Sequence, residues 1–252
     1  MINPFLLTGK VILITGASSG IGRQIAITCA AMGAEVFISA RSKEGLQKTI
    51  ELLPENSTSS LFVADLTVED QIIALVESLP KKIDGVVHCV GIVRSFPIRF
   101  LTFEKIDETM NVNFIPAVRL TAQLMRSKKF NTGSSSVFIS SITGQRPHVG
   151  GSMYGSSKAA LETFCKVVAL EGKSIKLRAN CISPAMVRTP MFEEAETFMS
   201  KEIMDDHIGK YPLGVGYPED VANAAVFLLS DGARWISGVN LVLDGGYLLE
   251  IG

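Results

Sequence analysis

Apolar residues along the chain alternate between two patterns. Short β-branched runs, such as Val-Ile-Leu-Ile in Val11–Thr15 and Ser-Val-Phe-Ile in Ser136–Ser140, are nearly unbroken. A strand with one wet face alternates apolar and polar residues, whereas an unbroken run marks a strand covered on both faces. The pattern predicts strands at Val11–Thr15, Glu35–Ala40, Ser60–Ala64, Gly85–Val90, Ser136–Ser140, Arg178–Ser183 and Asn240–Asp244. Helical patterns lie between them, near Gly20–Met32, Lys43–Leu53, Val68–Leu79, Phe103–Ser127, Met153–Glu171 and Pro218–Leu229. Gly33 is placed to end the first helix, and Pro218 with Asp220 to begin the last. Strand and helix in alternation predict an α/β fold with a mainly parallel sheet, helices on both faces and right-handed crossovers. The stretch from Met186 to Gly216 fits neither pattern; it reads as a mobile helical lid beside a site, or as ordinary surface helix. No repeat, low-complexity tract or linker divides residues 1–252, so one domain is expected.

Composition narrows the class. The chain has 252 residues, 47% of them hydrophobic and 19% charged, with mean hydropathy +0.31. Disordered chains have the opposite balance. The longest apolar stretches, Val221–Leu229 and Val86–Val93, fall short of the roughly 18 residues a membrane span needs. The first residues lack a basic region ahead of a long apolar run, so no signal peptide is expected. With 24 basic and 25 acidic residues, no global field attracts nucleic acid or anionic lipid. Cys29, Cys89, Cys165 and Cys181 form no C-x-x-C pair and sit among apolar neighbours. They read as buried free thiols of a cytoplasmic protein. His88, His148 and His207 are far apart, and no metal-ligand spacing occurs.

Two segments carry chemistry. Thr15-Gly16-Ala17-Ser18-Ser19-Gly20-Ile21-Gly22 follows the first strand and opens the first helix. Its glycines allow a sharp turn and close backbone approach, and the helix N-terminus offers N–H groups to a pyrophosphate. A glycine-rich turn before a capped helix is the competing reading. After the second strand, Arg41-Ser42 stands where an acid would bond a ribose 2′-OH, and no acid occurs until Glu44. Arg41 suits a 2′-phosphate, so NADP(H) is favoured and NAD(H) remains possible. Asp65 is placed either to meet an adenine edge or to cap the next helix. The second segment is Tyr154-Gly155-Ser156-Ser157-Lys158. Tyr and Lys four apart share a helix face, and an ammonium beside a phenol lowers a pKa that is otherwise about 10. Upstream, Ser141 lies at a strand end, where parallel sheets bind ligands.

Together these residues resemble a short-chain dehydrogenase/reductase of the single-domain type, similar to 3-oxoacyl-acyl-carrier-protein reductases. The resemblance runs from Gly9-Lys10 to Asp244-Gly245-Gly246. It rests on the Thr15–Gly22 loop, Asn113, Ser141, Tyr154/Lys158, Asn180-Cys-Ile-Ser-Pro184, Thr189-Pro190-Met191 and Pro218-Glu-Asp-Val221. It implies a Rossmann-type three-layer sandwich with seven strands and a homodimer or homotetramer. The partner surfaces would include the Phe103–Ser127 and Met153–Glu171 helices and the C-terminal strand. Tyr154 would be the general acid of ketone reduction. Lys158 would hold the nicotinamide ribose and depress the Tyr154 pKa, Ser141 would orient the carbonyl, and Asn113 would hold a relay water. Cofactor contacts are implied at Gly16, Ser18, Ser19, Gly20, Ile21, Arg41, Ser42, Asp65 and Leu66. Others are implied at Val90, Gly91, Tyr154, Lys158, Pro184, Val187 and Thr189. No metal is implied.

Three departures stand out. His88-Cys89-Val90-Gly91 replaces the family's Asn-Asn-Ala-Gly, so His88 is expected to take over sheet-edge hydrogen bonds. Pro184-Ala185 replaces Pro-Gly, and the arginine usual before Val215-Gly216 is missing. The altered His88–Gly91 segment motivates an alternative, a non-catalytic NADP(H)-binding sensor; the intact Asn113, Ser141, Tyr154 and Lys158 set argues against it. The segments expected to line the pocket supply Phe96, Val149, Met186, Met191, Phe192, Phe198 and Met199, which suit an apolar or acyl substrate or pack the lid on its own body. The leading substrate is a small or carrier-bound 3-oxoacyl thioester, with sugar, polyol or cyclic alcohols as alternatives. An acyl carrier protein would need a basic patch. Arg126, Lys128 and Lys129 form one candidate, and Lys173, Lys176 and Arg178 another; solvated helix ends explain them equally.

Overall fold

A computed structural model describes residues 3–196 and 201–249. Seven parallel strands form one sheet in the order β3-β2-β1-β4-β5-β6-β7. They are β1 (Val11–Thr15), β2 (Glu35–Ala40), β3 (Ser59–Val63), β4 (Ile83–His88), β5 (Phe130–Ile139), β6 (Arg178–Pro184) and β7 (Asn240–Leu243). The helices are α1 (Gly20–Ala31), α2 (Lys43–Glu51), α3 (Glu69–Ser78), α4 (Phe103–Asn113), α5 (Ile115–Arg126), α6 (Ser152–Glu171), α7 (Pro190–Glu196), α8 (Lys201–Gly209) and α9 (Pro218–Leu229). The three-layer α/β sandwich expected from the sequence is therefore present.

Neighbouring residues of each central strand enter opposite cores. Ile12 and Ile14 of β1, Val87 of β4, Val137 of β5 and Ile182 of β6 pack with α1 and α9. Leu13, Val86, Phe138 and Cys181, their neighbours in sequence, pack with α3, α5 and α6. This double burial is why the strands carry unbroken apolar runs. At Gly85 an added Cβ would lie 2.7 Å from the Leu229 side chain, so the missing side chain lets α9 press onto the sheet. The edge strands β3 and β7 are only partly buried.

The single helix expected over Phe103–Ser127 is two helices, broken at Phe114. Pro116, in the first turn of α5, has no N–H to bond back, and its ring excludes a continuous helix through Val112. The apolar spacing runs through the break and conceals it. The break puts Asn113 at the end of α4, buried between the loop after β4 and α6.

His88 does not take over sheet-edge hydrogen bonds. Its ring points into the core, stacks on Phe138 with centroids 4.5 Å apart, and its Nε2 lies 3.2 Å from the Thr121 hydroxyl. The bond at the strand edge comes instead from Thr15, whose hydroxyl donates to Val87 O and accepts from Cys89 N. Burial lowers the His88 pKa to about 3, so the folded chain holds it neutral. The unfolded chain takes up a proton near pH 6.5 that the folded chain refuses. Stability from this group is thus complete above pH 6.5 and lost as pH falls from there toward 3. Between pH 6.5 and 5 the loss is about 2 kcal/mol. His88→Phe should abolish that share of the acid slope, while costing about 1–3 kcal/mol at all pH by stranding the Thr121 hydroxyl. Urea unfolding at several pH values measures both effects; an unchanged slope would show that His88 contributes nothing to acid sensitivity.

Candidate active site

The glycine loop turns between β1 and α1. Gly16 and Gly20 have φ of +69° and +52°, in the left-handed region that favours glycine. A Cβ on Gly16 would lie 2.8 Å from Cys89 O, so this residue also lets the β1 and β4 loops touch. Ser19 is the N-cap of α1, yet its side chain makes no capping bond. The first-turn N–H groups of a 12-residue helix are thereby left to a ligand. The chain itself holds the loop from behind. Thr49 of α2 donates to Ala17 O at 2.8 Å, and the Arg23 guanidinium donates to Ser18 O and to the Thr49 hydroxyl. Arg23 and Thr49 went unnoticed in the sequence, where nothing but tertiary contact distinguishes them. This cradle fits a dinucleotide pyrophosphate. Gly20 lies beside Thr189, 3.5 Å from where its own Cβ would be, which brings the segment after β6 to the same place.

At the end of β2, Arg41 is exposed and Ser42 caps α2 by accepting from Gly45 N at 3.0 Å. Glu44, the nearest acid in sequence, pairs with Lys48 at 2.7 Å. Asp65 accepts from both the N–H and the hydroxyl of Thr67, at 2.9 and 2.8 Å. Burial pushes its carboxyl up, but these bonds and the Arg41 charge bring it below its usual range. Asp65 therefore builds the turn before α3 rather than capping the helix, whose N-cap is Val68. Leu66 is buried beside it.

The ends of β4, β5 and β6 meet the start of α6. The Asn113 amide is engaged at both ends: Oδ1 accepts from Ile92 N at 2.8 Å, and Nδ2 donates to Ile92 O and to the Ser157 hydroxyl. It pins the loop carrying Val90 and Gly91 against α6. Lys158 is buried, and its ammonium donates to Ile139 O at 2.9 Å. It also lies 3.3 Å from the place a Gly91 Cβ would occupy, so glycine keeps that approach open. Burial lowers the Lys158 pKa to about 8. Burial also raises the Tyr154 phenol, while the Ser141 hydroxyl beside it pulls the other way. The depression of the phenol by Lys158 is thus not a property of the chain alone. The ammonium is turned to Ile139 O and stands 5.7 Å from the ring centroid. Ser141 begins a short turn at residues 142–144, its Oγ accepting from Thr143 N at 3.2 Å.

The segment after β6 closes the site. Ala185 has no left-handed φ, and its N–H donates to Leu243 O, so the glycine replaced here is not required. Val187 bridges to Gly216, joining the two ends of the 186–216 segment. Phe192 is buried with Met204, Tyr211 and Val215, packing the lid onto its own body. Met191 and Val149 are exposed, Phe96 carries the Lys105 ammonium over its ring, and Met186 is half-buried. Phe198 and Met199 lie outside the described residues. The stacked rings of Tyr211 and Tyr247, with His207 against both, fix the lid to the C-terminal turn. The sequence gives no sign of this cluster, because its members come from separate segments.

A family model described as enoyl-(acyl carrier protein) reductase matches residues 16–248. The chain belongs to the short-chain dehydrogenase/reductase family. The 3-oxoacyl-acyl-carrier-protein reductase FabG of Thermotoga maritima is 32% identical over 96% of this chain and 99% of its own. Versicolorin reductase stcU of Emericella nidulans is 30% identical, over 96% and 97%. A short-chain type dehydrogenase/reductase of known structure from Mycobacterium ulcerans superposes with a TM-score of 0.89 at 31% identity, covering 98% of this chain and 92% of that one. As a short-chain dehydrogenase/reductase the protein is an oxidoreductase acting on CH–OH and C=O groups with a nicotinamide cofactor. No metal-holding cluster and no helix able to cross a membrane occur among the described residues.

Gly16→Ala is expected to fold with a loss of about 1–3 kcal/mol, from the left-handed φ and the collision with Cys89 O. Its nicotinamide-dinucleotide affinity should fall more than about 10-fold, because the loop must shift. Thermal melts and cofactor titration report the two effects; a variant with parental affinity would show that loop geometry does not govern cofactor binding.

Proposed function

We propose that the protein reduces a ketone to a secondary alcohol with NADPH, and that its best substrate is a 3-oxoacyl thioester. The observation that carries the reading is the Ser141 hydroxyl beside the Tyr154 phenol at the end of β5, with the buried Lys158 ammonium behind them. A phenol is protonated at neutral pH, and here it stands beside the Ser141 hydroxyl, where it can donate its proton to a carbonyl oxygen as that oxygen gains charge. Ser141 orients that oxygen and stabilises the developing oxyanion. Lys158 holds the nicotinamide ribose, and with its pKa near 8 it remains mostly charged at neutral pH. The bound nicotinamide supplies the hydride. The Asn113 side chain is spent on Ile92 and Ser157, so its main-chain carbonyl is the group left to hold a relay water. Residues 186–216 act as the lid of one catalytic unit that spans the chain.

NADPH is favoured because Arg41 is the exposed charge at the end of β2 and the nearest acid is tied to Lys48. Thioester reduction is supported by the FabG relatives. The basic patches give a carrier protein less support than the sequence promises. Arg178 is buried and donates to Leu228 O and Ser230 O, and Lys129 donates to Leu79 O and Pro80 O. Arg126, Lys128, Lys173 and Lys176 remain exposed for it. Val167 and Leu170 of α6 are exposed and apolar, which suits assembly into a dimer or tetramer. The four free thiols suit a cytoplasmic setting.

An NADPH-oxidation screen with 3-oxoacyl thioesters, keto sugars and cyclic ketones tests the substrate; turnover confined to sugars or cyclic ketones would replace the thioester assignment. On the best substrate, Tyr154→Phe should lower kcat by roughly two to four orders of magnitude while NADPH still binds. Unchanged turnover would remove Tyr154 from the chemistry. Arg41→Ala should cut the preference for NADPH over NADH by about 10- to 100-fold, the worth of a charged hydrogen bond. A parent enzyme that prefers NADH would overturn the assignment.

A further inference from the structure

Glu162 lies on α6 one turn beyond Lys158 and is partly buried. Its Oε1 accepts from the Ser140 hydroxyl at 3.0 Å and from the Ser183 hydroxyl at 3.3 Å. The same hydroxyl of Ser140 lies 3.1 Å from Lys158 O, so its one proton is shared between α6 backbone and carboxylate. Gly144, in the turn that Ser141 begins, leaves the room: an added Cβ would stand 2.7 Å from Oε1. One carboxylate oxygen of α6 therefore bonds residues at the ends of β5 and β6 and stands beside the turn at residues 142–144. Each serine it binds directly precedes a residue of the site. Ser140 precedes Ser141, and Ser183 precedes Pro184, the last residue of β6 and an expected cofactor contact.

We propose that Glu162 is a positioning residue: by tying Ser140 and Ser183 to α6 it sets the distance between the Ser141 hydroxyl and the Tyr154/Lys158 face of that helix. The inference rests on the proposed reduction for its kinetic arm, and has a second arm that does not. Charge-assisted bonds to a carboxylate are about twice as strong as neutral ones, which suits a tie between α6 and the ends of the two neighbouring strands it packs on. A displacement of about 1 Å at the reacting groups costs about 100-fold in rate, so loss of the tie should appear in turnover before it appears in folding.

The test compares Glu162→Ala and Glu162→Gln with the parent, in kcat on the best carbonyl substrate, in NADPH dissociation constant by cofactor fluorescence, and in Tm. Glu162→Ala should lower kcat about 10- to 100-fold and weaken NADPH about fivefold. Glu162→Gln keeps an oxygen that accepts from both serines, and should recover kcat to within about fivefold of the parent. In a Ser141→Ala background, adding Glu162→Ala should cost less than about twofold, because the hydroxyl it positions is gone. A penalty that persists undiminished in that background overturns the proposal. So does a Glu162→Ala variant with parental kcat and NADPH affinity, whatever its Tm. Should Glu162→Ala not fold, Ser183→Ala, which removes one tie, carries the test on the same two readouts. If the parent reduces no carbonyl at all, the proposed function fails, and the NADPH arm decides the positioning role alone: parental affinity in Glu162→Ala refutes it.

Discussion

Seven strands running in one direction, the central ones buried on both faces, form the constraint on which the rest depends. Parallel pairing forbids hairpins, so every strand must hand the chain to a covering helix and recover it at the other end of the sheet. The C-terminal strand ends then collect along one edge. There Thr15, His88, Ile139 and Pro184 end four neighbouring strands, and the loops that follow carry Gly16, Gly91, Ser141 and Val187. The site needs no separate scaffold. It is what lies beyond the carboxyl ends of a sheet that has to be covered by helices.

Such an edge has a cost. Past the last ladder bond, backbone N–H and C=O groups lose their partners in a region too buried for free access to water. The chain meets this with short hydroxyl and amide side chains. Thr15 joins Val87 O to Cys89 N, Asn113 closes on both backbone groups of Ile92, and Thr49 takes Ala17 O. The same bonds that satisfy stray backbone groups hold the loops at this edge in place. Stability and site geometry are for these residues one requirement.

The sequence made the strands legible because a doubly buried strand has little freedom in composition: both its faces must be apolar. The glycine loop and the Ser141, Tyr154 and Lys158 set were legible because they depend on local order, a turn between strand and helix or a four-residue helical spacing. Elements whose meaning depends on tertiary contact were not. The break at Phe114 hid under apolar spacing that suits one long helix as well as two, although Pro116 marks it. Arg178 looked like surface charge, yet it is buried and takes up carbonyls at the end of α9. Sequence gives the charge of an arginine, but not whether solvent or backbone carbonyls receive it.

The same distinction explains how Lys158 keeps its charge in reach of the site. A glutamate four residues after a lysine on an exposed helix ordinarily forms an ion pair. Among the described residues Lys158 and Glu162 form none. The ammonium bonds to Ile139 O, and the carboxylate bonds to Ser140 and Ser183. A direct pair would have recovered more of the desolvation cost of the lysine, and its pKa would not have fallen to about 8. It would also have drawn the ammonium along the helix, away from Gly91 and Asn113. A carbonyl partner takes one of three N–H donors and neutralises nothing. The partners given to Lys158 and Glu162 keep the two charges apart, at the expense of some stability, and leave the positive one facing the loop after β4.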